Sequence, residues 1–212
     1  MVTFVVRRVL PGLLFLVGSC NMLTPLAFVL PDRTTVSPEL DKLPNSRVAI
    51  LVWTDPSTLF DYPYARFELA TFVGDKLYGE MARRELNTQL VDPRDVEDFL
   101  QKNPTARIDP QALGRAFDTD YVIYIEVLRF QVRDSDHPQF LRGRINASVS
   151  VQDMAADPDQ LRRFVLTPVE CTYPDLGPVV LNATNSPYIR EQTYRKFAEI
   201  VARKFYEHTI ER

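Results

Sequence analysis

Glycine and histidine are scarce in this chain of 212 residues, and their scarcity excludes several kinds of chemistry. There are 7 glycines and 2 histidines, against 16 prolines. The sequence contains neither a Gly-x-Gly-x-x-Gly motif nor a Walker loop, which excludes the common glycine-rich phosphate sites. It also lacks Gly-x-Ser-x-Gly, and neither histidine has a recognisable serine context. We therefore expect no enzyme activity, no cofactor and no small-molecule substrate.

A concentrated positive charge is also missing. The formal net charge is −3, and the first 19 residues contain Arg7 and Arg8 but no acidic residue, so the rest of the chain is more acidic still. Nucleic-acid binding needs a basic face, so we expect no nucleic-acid partner. An acidic domain is not attracted to an anionic membrane surface either. Hydrophobic residues at 45% and charged residues at 25% are typical of a globular protein with a real core.

Cysteine is nearly absent, and the position of the first of the 2 cysteines is informative. Cys20 ends an apolar stretch that begins after Arg7 and Arg8 and closes with the small residues Gly18 and Ser19. A charged start, an apolar middle and a small-residue end are typical of an export signal. The ending Val17-Gly18-Ser19-Cys20 resembles the lipobox of bacterial lipoproteins, in which the cysteine is acylated, for example with palmitate, and the preceding peptide is removed.

We accordingly expect 1–19 to be a signal peptide and 20–46 to be a lipidated N-terminus with a proline-rich tether. The expected location is the cell envelope, on a membrane facing the periplasm and in particular the outer membrane. Two alternatives stay open. One is a plain secretory peptide with an incidental cysteine, and the other is an uncleaved anchor over 9–30, since about 20 mostly apolar residues can span a bilayer.

A single globular domain is predicted over 47–212. The apolar run from Val48 to Trp53 predicts a buried strand, and a loop over 54–63 should precede a helix over 65–86. A short strand over 88–91 follows. Asp92-Pro93 and Asp109-Pro110 each predict a capped helix start, with helices over 93–102 and 110–117.

The second half predicts a meander of strands closed by a helix. Strands are expected over 121–133, 140–152 and 163–173, the last at the sheet edge because of Pro168, and a final helix over 187–210. Leu128 is assigned to the apolar face of the first of these strands. The fold class is α/β (α+β): a two-layer sandwich of a mainly antiparallel mixed sheet with helices on one face, in the order β-α-β-α-α-β-β-β-α.

A family resemblance rests on three stretches of the chain. They are Arg47-Val48-Ala49-Ile50-Leu51-Val52, Leu90-Val91-Asp92-Pro93, and the junction from Ala112 to Ile123. In this order, behind an export signal, they resemble the curli-secretion (CsgG-type) lipoproteins and the penicillin-binding-protein activator lipoproteins. The resemblance covers about 47–210. It implies a non-enzymatic role, either in binding another envelope protein or in assembling into a secretion complex.

Three aromatic residues are the candidate partner-binding site. Phe60, Tyr62 and Tyr64 flank Pro63 in the predicted loop, and tyrosine is enriched at protein interfaces. The competing interpretation is that these rings pack on the sheet. Asp134, Asp136 and His137 could be read as metal ligands, but a polar turn explains them equally and no metal is expected. Cys171 is predicted to be a buried, inert thiol.

Three functions therefore remain as hypotheses. The first is a lipid-anchored adaptor or assembly factor that binds another envelope protein or self-assembles. The second is a subunit of an oligomeric outer-membrane secretion pore, since alternating strands are also typical of membrane-crossing strands. The third is an envelope enzyme of a type that no motif identifies.

Lipidation at Cys20 makes a direct prediction. We expect the intact mass of membrane-extracted protein to match residues 20–212 plus acyl chains, and Cys20→Ser to abolish both the acyl mass and membrane retention, because the thiol is the acylated atom. A protein that retains residues 1–19 without acyl mass would contradict lipidation.

Overall fold

The computed structural model describes residues 33–134, 137–155, 162–182 and 184–211. The predicted signal peptide, Cys20 and the first part of the tether lie outside the described residues, as does Asp136. Two compact units are present: one contains the described residues Arg33–Val36 and Thr209–Glu211, and the other is Ser37–His208.

The strands form two sheets. β1 pairs with β9 in a two-stranded sheet. The other seven strands form the mixed main sheet, ordered β3-β2-β4-β5-β6, with β7 and β8 also paired to β5. The strands are β1 Arg33–Val36, β2 Arg47–Thr54, β3 Gln89–Leu90, β4 Tyr121–Arg133, β5 Phe140–Asp153, β6 Arg162–Val165, β7 Val169–Tyr173, β8 Val179–Val180 and β9 His208–Glu211.

Five α-helices accompany the main sheet in the described part of the chain. They are α1 Pro56–Asp61, α2 Ala65–Arg83, α3 Pro93–Lys102, α4 Pro110–Phe117 and α5 Asn185–Ala202, with 3-10 helices at Pro104–Ile108 and Arg203–Phe205. β2 runs parallel to β3 and β4, whereas β5 is antiparallel to β4, β6, β7 and β8. The predicted α/β class with a mixed, mainly antiparallel sheet is confirmed.

The coverage of the sheet corrects one part of that prediction. Helices lie on both faces of β2 and the first half of β4, not on one face. On the first face, Ile50 and Val52 pack with α2 and α5. On the second face, Ala49 and Leu51 pack with α3 and α4. A strand that is apolar at every position must be covered on both sides.

β5 behaves as its sequence predicts. One set of alternate residues is buried: Leu141, Gly143, Ile145, Ala147, Val149 and Val151. Most residues of the other set are only partly covered, although Ser150 and Gln152 are buried as well. The period-two pattern therefore identifies the face that α5 covers.

β4 departs from its pattern at one residue. The register shifts between Val127 and Arg129, so an extra residue is inserted in the strand. Leu128 is this residue, and it is 61% exposed, whereas the sequence placed it on the apolar face. Phe130 and Val132 are buried as predicted. A bulge inserts one residue and thereby re-aims a side chain without ending the strand.

Aspartate-proline pairs begin three helices. The carboxylates of Asp92 and Asp109 accept hydrogen bonds from the backbone N–H of Arg94 and of Gln111, at 2.8 and 3.0 Å, and α3 and α4 have the predicted bounds. Asp55-Pro56 does the same: Asp55 accepts from the N–H of Ser57 at 2.8 Å. The predicted loop over 54–63 is therefore wrong, because this third cap starts α1.

The end of the chain also differs from the prediction. α5 ends at Ala202 rather than continuing to 210, and His208 lies in β9. The carbonyl oxygen of Lys204 accepts hydrogen bonds from the backbone N–H of Glu39 and Leu40 at 2.8 and 3.1 Å. These bonds occupy the acceptor that a further helical turn would use, and Tyr206 has extended backbone angles.

Residues 37–46 belong to the compact unit that was predicted to begin at 47. Leu43 is fully buried and Leu40 nearly so, both within the core that α2 and α5 cover. The ammonium group of Lys204 bonds the carboxylate of Glu39 at 2.7 Å. The last ten residues of the predicted tether therefore pack as part of the fold.

The third meander strand is divided in two. β6 and β7 both pair with β5, and Pro168 lies in the break between them. Since proline has no N–H to donate to a ladder, the interruption at a sheet edge follows from the sequence.

Gly143 generates a prediction about packing between β5 and α5. A Cβ at this position would lie 1.8 Å from Oγ1 and 2.8 Å from Cβ of Thr193. We expect Gly143→Ala to lower the free energy of unfolding by about 2 kcal/mol or more, because the strand and helix must separate. Denaturant unfolding measures this change.

Gly79→Ala is the matched control, since no atom lies within 4 Å of the added Cβ on α2. It should raise the free energy of unfolding by roughly 0.5–1 kcal/mol through helix propensity. Equal effects of the two substitutions would contradict the close approach of β5 to α5.

Candidate functional site

The three predicted aromatic residues lie where β2 leads into α1 and α2. α1 is short, and its first turn is held by the carboxylate of Asp55, which also accepts a hydrogen bond from the hydroxyl of Thr58 at 2.8 Å. Hydrogen bonds from Ser57 and Thr58 hold the pKa of Asp55 at about 2. The cap is therefore charged at neutral pH and orients the segment that carries the aromatic rings.

Tyr62 is the anchored member of the three. Its ring centroid lies 4.6 Å from that of Phe130, and Phe130 lies 5.3 Å from Tyr194. The ring of Tyr194 also contacts Phe72 of α2 at 5.8 Å. Burial raises the pKa of Tyr62. This chain of rings joins the segment between α1 and α2 to β4 and α5, so Tyr62 packs on the sheet.

Phe60 and Tyr64 are the exposed members, with 88% and 72% of their surfaces accessible. We call this pair the aromatic rim. The structure thus divides the three predicted residues. Tyr62 packs on the sheet, as the competing interpretation holds, whereas Phe60 and Tyr64 remain exposed and available for a partner.

Leu128 is a further exposed apolar residue that the sequence pattern does not indicate as a surface residue. It follows Val127, which pairs with Thr54 at the end of β2, so it lies beside the start of α1.

A groove adjoins the aromatic rim. It has a volume of about 520 Å³ and lies between the first turn of α2 and the exposed side of α3. Tyr64 and Phe67 form its apolar lining. Its charged lining consists of Arg66, Arg94, Arg107, Glu97 and Asp98. No motif in the sequence indicated this groove, because its residues come from three separate elements.

Burial lowers the pKa of Arg66. The negative charge of Glu97 opposes this shift, and the positive charge of Arg107 adds to it. Arg66 is therefore a desolvated cation that faces a second cation across the groove.

A second concavity, of about 550 Å³, lies near the ends of α2 and α5. Both of its arginines have partners. Arg83 pairs with Glu80. Arg84 also pairs with Glu80, stacks over the ring of Tyr206 at 4.0 Å and donates to the carbonyl of Glu207 at 3.1 Å. The pKa of Glu80 is lowered to about 2: burial opposes the shift, and the bonds from Arg84, Lys76 and Arg83 outweigh it. We interpret this network as structural.

The residues considered as possible metal ligands make ordinary structural contacts where the structure describes them. Asp134 pairs with Arg144 at 3.4 Å and accepts from the backbone N–H of His137 at 3.2 Å. Asp136 lies outside the described residues. Among the residues that the structure describes, no group of three metal-ligating side chains is present.

Cys171 is 1% exposed, and its thiol lies 3.6 Å from the carbonyl oxygen of Thr193. Burial raises its pKa to about 12. A thiol in this environment stays protonated at neutral pH, which agrees with the predicted inert role.

No helix in the described ranges is long and apolar enough to cross a bilayer. The alternative of an anchor over 9–30 lies outside those ranges.

Comparison with known proteins gives distant structural likenesses alone. No protein-family profile matches the chain, and no curated protein sequence is significantly similar to it. Among solved structures, a variant of the PelC dodecamer from Paraburkholderia phytofirmans aligns with a TM-score of 0.43 and 8% identity, covering 82% of this chain and 97% of that one. The lipoprotein GNA1162 from Neisseria meningitidis aligns at 0.38 and 11%, covering 73% and 99%.

The hypothetical protein CT253 from Chlamydia trachomatis aligns with a TM-score of 0.38 and 14% identity, covering 74% of this chain and 95% of that one. These TM-scores are below 0.5, so the function has to be argued from the chain's own residues. The resemblance to curli-secretion and penicillin-binding-protein activator lipoproteins stays a prediction.

The division of the aromatic trio can be tested by substitution. We expect Tyr62→Ala to lower the free energy of unfolding by about 2 kcal/mol, because the ring is partly buried against Phe130. Tyr64→Ala should change it by less than about 0.5 kcal/mol, as is usual for an exposed side chain. Denaturant unfolding of both variants makes the comparison, and equal losses would show that Tyr64 also belongs to the core.

Proposed function

We propose that this protein is a lipid-anchored, non-enzymatic envelope protein that binds another envelope protein through the aromatic rim. The observation that carries the proposal is the exposure of Phe60 and Tyr64 on a segment fixed by its cap and by Tyr62. Exposed rings on a rigid support lose little conformational entropy on binding, which favours them as contact residues. The lipobox-like ending at Cys20 supports anchoring by a lipid.

The placement of the rim within the Ser37–His208 unit supports this role. The chain enters this unit at Ser37 and reaches the start of β2 at Arg47. The rim follows the other end of β2, which at about 3.3 Å per residue is roughly 25 Å away. Pro38, next to the entry, lines the same concavity as Arg83 at the end of α2, whereas Tyr64 adjoins the first turn of α2. Entry and rim therefore lie near opposite ends of α2, an arrangement suited to attachment at one end and binding at the other.

Membership of a secretion pore remains the second candidate. Its sequence argument was the alternation along β4 and β5, but in this fold α2 and α5 cover one face of both strands. The alternation is explained by that cover, so it no longer favours a pore over an adaptor. Electron microscopy of detergent-extracted protein distinguishes the pore subunit from the adaptor. Ring-shaped particles are expected for a pore subunit and not for an adaptor that binds another envelope protein.

Site-specific crosslinking in cells tests the adaptor role. We expect benzoyl-phenylalanine in place of Phe60 or Tyr64 to give the same discrete adduct with another envelope protein, since both residues belong to the proposed binding surface. Tyr78, which is 59% exposed on α2, is the matched control position and should give no such adduct. Mass spectrometry of the adduct identifies the partner.

The same experiment in the Cys20→Ser background checks the anchoring. The adduct should be lost or strongly reduced, because the protein no longer resides at the membrane. If Phe60 and Tyr64 yield no adduct, or if Tyr78 yields the same one, the rim is not the binding surface.

A further inference from the structure

Three arginines converge on the groove beside the aromatic rim without acidic partners. Arg66 is on α2, Arg94 on α3 and Arg107 on the 3-10 helix that follows α3. Within the described residues, none of the three guanidinium groups has a carboxylate oxygen within 4.0 Å, although Glu97 and Asp98 line the same groove. Other arginines each pair with a glutamate: Arg84 directly after α2, Arg195 on α5 and Arg203 directly after α5.

Two of these arginines also have an unused donor. The Nε atoms of Arg66 and Arg107 are buried, and no atom of the described protein accepts a hydrogen bond from either. A buried N–H without an acceptor destabilises the folded protein, and more so when the group is charged. An acceptor supplied by a ligand would remove this cost.

The balance of charge and shape indicates the chemical class of that ligand. Three arginines against Glu97 and Asp98 leave one net positive charge, which suits a single carboxylate better than a doubly charged phosphate. A guanidinium offers parallel N–H donors that match the two oxygens of a carboxylate. Tyr64 and Phe67 add an apolar wall for the carbon chain that bears it.

We propose that the groove between α2, α3 and the 3-10 helix binds a carboxylate, held by Arg66, Arg94 and Arg107. The carboxylate belongs either to a small organic acid or to an acidic segment of a polypeptide. This site goes beyond the proposed function. It shares Tyr64 with the aromatic rim, but its three arginines can hold a carboxylate whether or not the rim contacts a protein.

Titration of the detergent-extracted full chain tests the site. The probes are pentanoate, a capped tetrapeptide with a single glutamate and inorganic phosphate, with affinity measured by calorimetry and location by the Nε–Hε signals of the arginines in nitrogen-15 spectra. We expect saturable binding of pentanoate or the peptide with shifts at Arg66 and Arg107. The signal of Arg195, whose Nε donates to Glu191 at 2.9 Å, should not move.

The two arms distinguish the sources of the carboxylate. Clearly tighter binding of the peptide indicates an acidic polypeptide segment, and equal or tighter binding of pentanoate indicates a small acid. Binding of phosphate but not of either carboxylate overturns the proposal. Shifts that fail to saturate, or that are equally large at Arg195, also overturn it.

Substitutions give the second readout. Arg107→Gln should weaken binding at least about tenfold, the fold-change expected for one lost charge-assisted hydrogen bond, while Arg195→Gln leaves it unchanged. Arg94→Gln is a second variant on a different helix, and it keeps the test decisive if Arg107→Gln fails to fold. Unchanged affinity in a folded variant of either groove arginine would show that these side chains do not hold the ligand.

Discussion

The burial of β2 on both faces is the constraint on which the rest of the main unit depends. An eight-residue strand with apolar side chains in both directions cannot leave either face in water. α2 and α5 cover one face, and α3 and α4 cover the other. The two layers meet beside β2: a Cβ on Gly74 of α2 would lie 4.0 Å from Pro93 of α3. The arginine groove is formed near this meeting of helices from opposite layers, so it is a consequence of how β2 is covered.

The aromatic chain couples the outer surface to this core. Tyr62, Phe130, Tyr194 and Phe72 contact one another in sequence across α2, β4 and α5. Rings in tilted contact contribute roughly 0.5–1.5 kcal/mol per pair beyond their burial. Because Tyr62 is held in this way, the neighbouring Phe60 and Tyr64 are displayed in a defined position. A binding surface of this kind is preorganised, which reduces the entropic cost of association.

Charge is distributed unevenly over the surface. At the end of the main unit where α5 finishes, basic side chains are paired: Lys204 with Glu39, and Arg84 with Glu80. Beside the rim, Arg66, Arg94 and Arg107 line one groove with Glu97 and Asp98, and none of the three forms an ion pair within the described residues. Paired charges stabilise packing between elements, whereas a partly buried cation such as Arg66 without a partner imposes a cost that binding can relieve. The contrast separates a structural end of the unit from an end suited to recognition.

The sequence by itself determined the features that depend on local chemistry. Alternation identified the buried face of β5, and Asp92-Pro93 and Asp109-Pro110 located the starts of α3 and α4, because a cap and its proline act within one turn. Asp55-Pro56 has the same capping pattern, although the prolines around it favour a loop. Tertiary contacts decided the rest. The bulge at Leu128, the end of α5 at Ala202 and the burial of Leu40 and Leu43 each depend on residues distant in the chain. The groove is formed by α2, α3 and the 3-10 helix together. A periodicity or a motif within one segment cannot predict which side chains of separate helices will lie next to each other.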